Sequence, residues 1–432
     1  MNPRSERSPG VVTAGQRAEL MRLGNASAVL RAVLGHGPVS RAEIARLTGL
    51  SAPSVTKLAG PLIEAGLLGE CGPVGSVQGR PRVPLRIDPD RTAAVGLHIG
   101  LLRTTFGLVA LDGTVLAERE LAHAGLADLS PERIAAQAAA GVRALLDEKL
   151  RGRRLAGTGV SLGGWVDGGR GLVVEHGPLG WRGVDLAGLL GGLLPGPLVV
   201  EQTVRAIAGA ELWFGAGREV DDFVLVFVGN VLGAALVIGR TVHQGPGAAA
   251  GSIEHLPAAA DASAADGAAV RCPQCGSGCL GVTATDTAVV AQARAAGVLP
   301  DDPARPYDPA RAAAGSLELE HLIAAARPAG TGSGDARAQD LLRLRARRVG
   351  RAVAAVVDLV NPSRVVLAGG ILAAEEYLDD VRAEAARHCH RGEAVVADIV
   401  PAASAPRTLV RSSAVPVLAR VITDPFTALG LR

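Results

Sequence analysis

The segment CPQCGSGC places Cys272, Cys275 and Cys279 in one short glycine-rich knuckle. Thiolates at this density and spacing bind zinc, which takes four tetrahedral ligands, so one further donor must come from elsewhere in the chain. Buried free thiols would not explain three cysteines so close together. Cys71 and Cys389 stand alone and read as structural. Five cysteines in 432 residues are not a disulfide framework. They point to a reducing, cytoplasmic setting.

A second kind of chemistry is written in GLHIGLLRTTFGLVALDG, from Gly96 to Gly113. It reads as strand, glycine turn, strand, the form of a hairpin whose backbone N–H groups can cradle phosphate. The stretch DFVLVFVGNVLGAALVIG repeats the same logic, with Gly229 and Gly233 at its turn. Two such units, each followed by helices, imply a duplicated α/β body with a cleft between lobes. A helix is expected over Pro131–Leu150 and another over Leu344–Leu359, the latter stopped by Asn361-Pro362.

The body follows a smaller basic head. Residues 1–90 hold 11 Lys/Arg against 7 Asp/Glu, and the rest hold 33 against 35. That asymmetry suits a nucleic-acid module joined to a sensing or catalytic one. Residues 1–24 read as a flexible N-terminal arm and residues 25–90 as a winged helix-turn-helix. Ala28, Leu30, Val33 and Leu34 form an apolar stripe. Ser40 caps the next helix, with Glu43 completing a capping box. Gly49 supplies the tight turn, Ser51 caps a third helix, and Pro53 sits harmlessly in its first turn. Ser51, Ser54, Thr56 and Lys57 lie at the exposed start of that helix, where base edges and phosphates are met. Pro61 should kink the helix or end it near Ala59. Gly79-Arg80-Pro81 follows in a short wing. Arg80, with Arg82 beside it, suits a narrow A·T-rich minor groove.

Hydrophobic residues make up 48 % of the chain and aromatics 2 %, so the core is aliphatic. All but two of the basic residues are arginine, which with the Ala and Gly excess suggests a GC-rich genome. No signal peptide and no apolar run of membrane-spanning length is visible.

Taken in order, the winged helix, Gly79-Arg80-Pro81, GLHIG, PLGWRGVDL, VVEQTVRAIAGAELWFGAG, AGSIEH, the cysteine knuckle and NPSRVVLAGG resemble the repressor branch of the ROK family, named for repressors, open reading frames and kinases. The resemblance covers residues 25 to about 400. It implies an actin-like body of two ribonuclease-H-like lobes at 91–432, lobe one about 91–200 and lobe two about 201–400. It also implies that His255 is the fourth zinc ligand. The family spacing is usually Cys-x-Cys-x4-Cys, whereas here it is Cys-x2-Cys-x3-Cys, with an Ala-rich insert over Pro257–Ala269.

The resemblance also exposes what is missing. A sugar kinase of this family takes the substrate proton on an aspartate in an Asn-Asp pair, where this chain has Gln202 and Thr203. The acidic residue of the first turn, which helps organise metal and phosphate, is His98 here. Charged, a histidine repels magnesium, and neutral it holds the ion poorly. Val231 replaces the small middle residue of the second glycine turn, and Ser252 replaces a glutamate that contacts sugar hydroxyls. No use of ATP or magnesium is therefore expected.

Trp165, Trp181, Gln202, Thr203, Arg205, Ser252 and His255 are candidates to line a cleft for a sugar or other small-molecule effector. The expected protein is a cytoplasmic bacterial repressor, nucleoid-associated when bound to DNA. It should be a homodimer or dimer of dimers on an A·T-rich inverted repeat in double-stranded operator DNA. The rivals are an active carbohydrate kinase with a DNA-binding head and a ligand-independent regulator.

Overall fold

In a computed structural model the described residues are 14–72, 83–123, 129–258, 271–300, 315–328, 333–403 and 409–430. The head comprises α1 (Ala14–His36), α2 (Arg41–Thr48), α3 (Ala52–Glu64) and an antiparallel ribbon of β1 (Leu68–Glu70) and β2 (Leu85–Ile87). Local chemistry sets its turns. The Ser40 hydroxyl accepts from Glu43 N at 3.2 Å, and Gly49 ends α2 in the left-handed region at φ +71°. Ser51 accepts from Ser54 N at 3.3 Å and opens α3. Arg41 reaches Glu70 at 2.7 Å and so fastens the ribbon to α2.

Two expectations change. Helix α1 begins at Ala14, within the stretch expected to be a free arm. Leu23 and Ala26 bury themselves in the core, and Arg22 lies over the Phe426 ring at 4.7 Å, which gives that stretch something to fold against. Helix α3 also passes through Pro61 to Glu64. The hydrogen bond from Ala65 N to Pro61 O carries the next turn, and Leu62 anchors it in the core.

Lobe one is a five-stranded sheet in the order β10-β6-β3-β4-β5, built from β3 (Thr92–Ile99), β4 (Arg103–Ala110), β5 (Val115–Ala122), β6 (Arg154–Leu162) and β10 (Leu198–Gln202). Helix α4 (Pro131–Lys149) covers one face. A small meander of β7 (Trp165–Asp167), β8 (Leu172–His176) and β9 (Trp181–Asp185), then α5 (Leu186–Gly191), stands between β6 and β10. Helix α6 (Thr203–Phe214) leaves β10 for lobe two.

Lobe two repeats the design in the order β13-β12-β11-β14-β15, from β11 (Phe223–Val228), β12 (Leu232–Ile238), β13 (Thr241–His243), β14 (Arg364–Ala368) and β15 (Ile399–Pro401). Gly233 lies within β12 rather than in the turn. Its helices are α7 (Leu280–Thr283), α8 (Asp286–Ala295), α9 (Gly315–Ala326), α10 (Ala336–Val360) and α11 (Leu378–His388). In α10, Leu342, Ala346, Val349, Val353 and Val357 recur at helical spacing and are buried. Asp335 caps its start, and Asn361 ends it at φ +48°.

The chain then returns to lobe one as α12 (Leu409–Thr423), followed by the single turn α13 (Pro425–Ala428). Its seat is a row of glycines. Gly96 pairs with Gly107 on β4 and with Gly159 on β6. A Cβ at Gly96 would stand 1.8 Å from Val410 O, and one at Gly159 would stand 1.9 Å from Ser413 O. Only glycine lets a helix backbone lie this close to a sheet. Helix α1 packs against α12 and α13, with Arg31 over Trp213 at 6.0 Å. The head and the seam between the lobes therefore share one continuous hydrophobic core.

Candidate functional site

Four donors converge where the knuckle was expected. The side chains of His255, Cys272, Cys275 and Cys279 present ligand atoms that all lie within 4.8 Å of one another. His255 Nδ1 stands 3.7 Å from both Cys272 Sγ and Cys279 Sγ. A tetrahedron with bonds of roughly 2.1–2.3 Å has edges of roughly 3.4–3.8 Å, so the donors fit a single metal ion. The knuckle is shaped by Gly276 N to Cys272 O and by Cys272 N to Ser277 O. Hydrogen bonds from Ser277 hold the exposed Cys275 thiol down to about 6, the range of a ready metal ligand. Burial pushes the Cys279 thiol up, the cost that an ion would offset. Most of the Ala-rich insert lies outside the described residues.

Several of the residues expected to bind a ligand lie at the ends of the lobe-one strands and the start of α6, and most are already committed. His98, Ser161 and Glu201 stand in register across β3, β6 and β10. Glu201 is buried and accepts from Gln202 N at 2.8 Å, Arg205 Nε at 2.7 Å and Gln244 Nε2 at 3.0 Å. Arg205 also donates to Ala248 O at 3.0 Å and Val166 O at 2.6 Å. It is an internal strut, because it is buried and each of its three guanidinium nitrogens already donates to the protein.

Gln202 caps α6 by accepting from Arg205 N at 3.0 Å. Thr203 is 8 % exposed, and its hydroxyl has no partner among the described residues. Trp165 remains 44 % exposed while donating to Gly247 O at 2.7 Å, so its ring is held at the surface. Trp181 is instead a core pillar, buried and bonded to Leu129 O. Ser252 is exposed and, among the described residues, reaches Ala249 O at 3.5 Å.

At the matching turn of lobe two, Gly229 N bonds Val231 O, and Asp286 N bonds Gly229 O at 2.9 Å. The Asp286 carboxylate fills the space beside Gly370, where a Cβ would collide with it, and pairs with buried Arg345. Burial pushes this carboxyl up despite the Arg345 charge. A buried carboxylate repels phosphate from this turn. Sequence reasoning missed Asp286 and Arg345, which lie far apart in the chain. It also missed the Glu201–Arg205 pair, although four-residue spacing on a helix start signals such contacts.

In the head, Lys57 is exposed, as are Ser51 and Thr56. The Ser51 and Ser54 hydroxyls bond each other at 2.8 Å, and Thr56 donates to Ala52 O at 3.0 Å. Arg80 and Arg82 lie outside the described residues.

Comparison with known proteins agrees with this architecture. The chain is 34% identical over 352 residues to the transcriptional regulator Mb0495 of Mycobacterium bovis, covering 80% of this chain and 74% of that protein. It is 26% identical to the DNA-binding transcriptional dual regulator NagC of Escherichia coli, over 86% of each. A solved ROK family transcriptional regulator, a homolog of E. coli MLC, superposes with a TM-score of 0.73 at 22% identity, covering 95% of this chain and all of that one. A ROK family glucokinase from Streptomyces griseus, solved with glucose and AMPPNP, gives a TM-score of 0.57 at 25% identity, covering 74% and 98%. Residues 94–409 match the ROK family. On these grounds, and on the two lobes and knuckle described above, the chain belongs to the ROK family.

Proposed function

We propose that the protein is a DNA-binding transcriptional regulator, acting as a repressor, whose body senses a small molecule and transfers no phosphate. The observation that carries this reading is the union of head and body. A helix-turn-helix with an exposed Lys57 shares its core, through α1, with the helix that lies on the sensing lobe. A change in the cleft then has a packed route to the head. The similarity to a regulator over nearly the whole chain supports the same assignment.

Against catalysis stand the absent base at Thr203, the imidazole at His98 and the carboxylate of Asp286 at the second turn. A threonine hydroxyl is far too weakly basic to act at neutral pH. The knuckle holds a structural zinc through His255, Cys272, Cys275 and Cys279, one ion per chain, and thereby braces the wall of the cleft. The protein works as a homodimer or dimer of dimers, since one winged helix makes too few base contacts for tight binding. It acts in the bacterial cytoplasm, on the nucleoid when bound. No described helix is long and apolar enough to cross a membrane.

Site selection from random double-stranded DNA tests the reading. Wild type should recover an A·T-rich inverted repeat. Lys57→Ala should weaken all sequences alike if Lys57 meets phosphate, and should relax one position if it reads guanine. Arg80→Ala should lose the A·T preference by roughly 1–3 kcal/mol. Recovery of no motif would end the regulator reading. Sugar-dependent release of ADP from ATP by the unmodified protein would revive the kinase alternative, and Thr203→Asp alone should not create it.

A further inference from the structure

The knuckle presents its three thiols unequally. Cys272 and Cys279 are buried, each with its Sγ 3.7 Å from His255 Nδ1, whereas Cys275 is exposed. The four ligand atoms all lie within 4.8 Å of one another, so the Cys275 sulfur stands close to both other sulfurs. The site thus has one thiolate that faces solvent and two that do not. A metal-bound thiolate remains a nucleophile, and exposure decides which one an oxidant in solution meets first.

The backbone selects a partner for it. Gly276 N donates to Cys272 O at 2.8 Å, and Cys272 N donates to Ser277 O at 2.9 Å. These bonds fold residues 272–277 into a closed turn that carries Cys272 and Cys275 with two residues between them. That spacing is the one at which two thiols of a single turn join in a disulfide. Cys279 is held differently. It pairs with Pro257 in a β-bridge and caps the start of α7, and the adjacent Leu280 N donates to Leu256 O at 3.0 Å. The turn can bring its own two sulfurs together, whereas drawing Cys279 out would break the bridge. Ser277 Oγ lies 3.1 Å from Cys275 Sγ, so a hydroxyl stands beside the exposed sulfur to hydrogen-bond an oxygen leaving it.

We propose that Cys275 is a modification site for hydroperoxides, with Cys272 as its resolving thiol, and that the disulfide between them expels the zinc. This rests on the structural zinc proposed above and names what unloads it. The Cys275 thiolate attacks the outer oxygen of ROOH. An S–O bond forms, the O–O bond breaks, and the alkoxide takes a proton from water and leaves as ROH. The Cys272 thiolate then attacks the Cys275 sulfur. The S–S bond forms, the S–O bond breaks, and hydroxide leaves and takes a second proton. The two thiolates lose one electron each, and the peroxide gains both. His255 and Cys279 remain, and two donors do not hold a structural ion. The loss reaches the ion pair of lobe two. Helix α7 opens at Cys279, and beyond it Thr283 O accepts from Arg348 at 3.1 Å and Ala284 O from Arg345 at 2.9 Å. A dithiol reductant reverses the disulfide by exchange.

The test exposes the gently purified, reduced full chain to hydrogen peroxide and to cumene hydroperoxide in the presence of a chromogenic zinc indicator. One equivalent of zinc should be released as two thiols disappear. The remaining thiols are then alkylated and the peptides mapped by tandem mass spectrometry. Cys272 and Cys275 should be linked, and Cys279 should carry the alkyl group. Dithiothreitol followed by zinc should restore both thiols and the bound ion. Cys275→His keeps four zinc donors without the exposed sulfur, and it should retain its zinc under the same peroxide. The mapping uses the unmodified chain, so it decides the thiol pair even where Cys275→His fails to fold. Thiols that survive excess peroxide, a link that includes Cys279, a sulfinic acid at Cys275 in place of the link, or zinc kept while the link forms would each overturn the proposal. A chain purified without metal would overturn the zinc reading and the expulsion with it, while the mapping would still show whether Cys272 and Cys275 pair.

Discussion

The two lobes repeat one hairpin and close its glycine turn by opposite means. In lobe one the strand that enters the turn carries His98, a ring wired through Ser161 and Ser413 to the C-terminal helix. In lobe two the turn abuts Asp286, a carboxylate paired with Arg345 and buried at the turn itself. A site for phosphate needs free N–H groups or cations facing open space. Lobe one has replaced that arrangement with a neutral polar chain and lobe two with an internal anion. The first kind of closure is a relay of hydrogen bonds, while the second fills the space beside Gly370 with a charged pair. A duplicated fold can thus close the same turn in two ways, one with a neutral polar chain and one with a paired carboxylate.

The comparison breaks first at the seat of α12, which exists on one lobe only. Gly159→Ala would drive a Cβ into the Ser413 carbonyl. The expected cost is more than about 4 kcal/mol, seen as loss of the soluble folded chain. At Gly233 in lobe two a Cβ meets Val204 Cγ2 at 3.6 Å and Gly251 O at 3.9 Å, both ordinary contacts. Gly233→Ala should change stability by less than about 1 kcal/mol in chemical denaturation. Equal effects at the two glycines would show that α12 does not depend on the glycine row.

Next in size is the ion pair of lobe two. Asp286→Ala leaves Arg345 buried and uncompensated, at a cost of about 3–5 kcal/mol. Adding Arg345→Met should recover most of that loss, because the pair is then replaced rather than broken. A double variant as unstable as Asp286→Ala would mean that Arg345 supports the lobe through Ala284 O instead.

Acid separates the turns by sign. His98 is held down to about 4 from 6.5, so the unfolded chain binds its proton first. Stability from this group is present above about 6.5 and is lost as pH falls towards 4, by up to about 3 kcal/mol. Asp286 is pushed up, so the folded chain binds its proton first and gains relative stability on acidification. Denaturant melts at pH 7 and pH 4.5 should show a smaller acid loss in His98→Gln than in wild type. The acid loss in Asp286→Asn should be larger than in wild type. Identical pH profiles in all three would remove these groups from the acid response.

What the sequence made legible follows from how local each signal is. Ser40, Gly49 and Ser51 announce their helix ends because a cap is a contact within three residues. The knuckle was readable because three donors are adjacent, and its fourth because AGSIEH resembles a known motif. The duplicated hairpins showed as repeated apolar runs around glycines. By contrast, Ser161 meets Ser413 and Asp286 meets Arg345 only after the chain has folded back on itself, and neither leaves a periodicity. The start of α1 was hidden for the same reason. Its apolar content is modest, and the Arg22 contact with Phe426 joins opposite ends of the chain. Arg205 misled in the other direction, since a cation near a cleft reads as a ligand contact until its partners are seen.

The smallest effect concerns Thr203, where a kinase of this family would carry its base. Its hydroxyl is buried next to the Glu201–Arg205 strut in the chain and has no hydrogen-bond partner among the described residues. A buried hydroxyl without a partner costs free energy, because folding strips it of water and returns no bond. Thr203→Val keeps the branched shape and removes the oxygen. It should therefore stabilise the protein by up to about 1 kcal/mol, where Thr-to-Val exchange at a bonded site would destabilise it. Asp286 offers no such gain, because its carboxylate is paired with Arg345. The comparison sharpens further if a neutral sugar is titrated into both proteins. A hydroxyl kept for the ligand would make Thr203→Val more stable yet weaker in binding, and one that is merely left over would change stability alone. Thermal melts of wild type and Thr203→Val read the first effect, and their shifts with added sugar read the second. A destabilised Thr203→Val would show that the hydroxyl has a partner in solution, and that this corner of lobe one is more fully bonded than its contacts indicate.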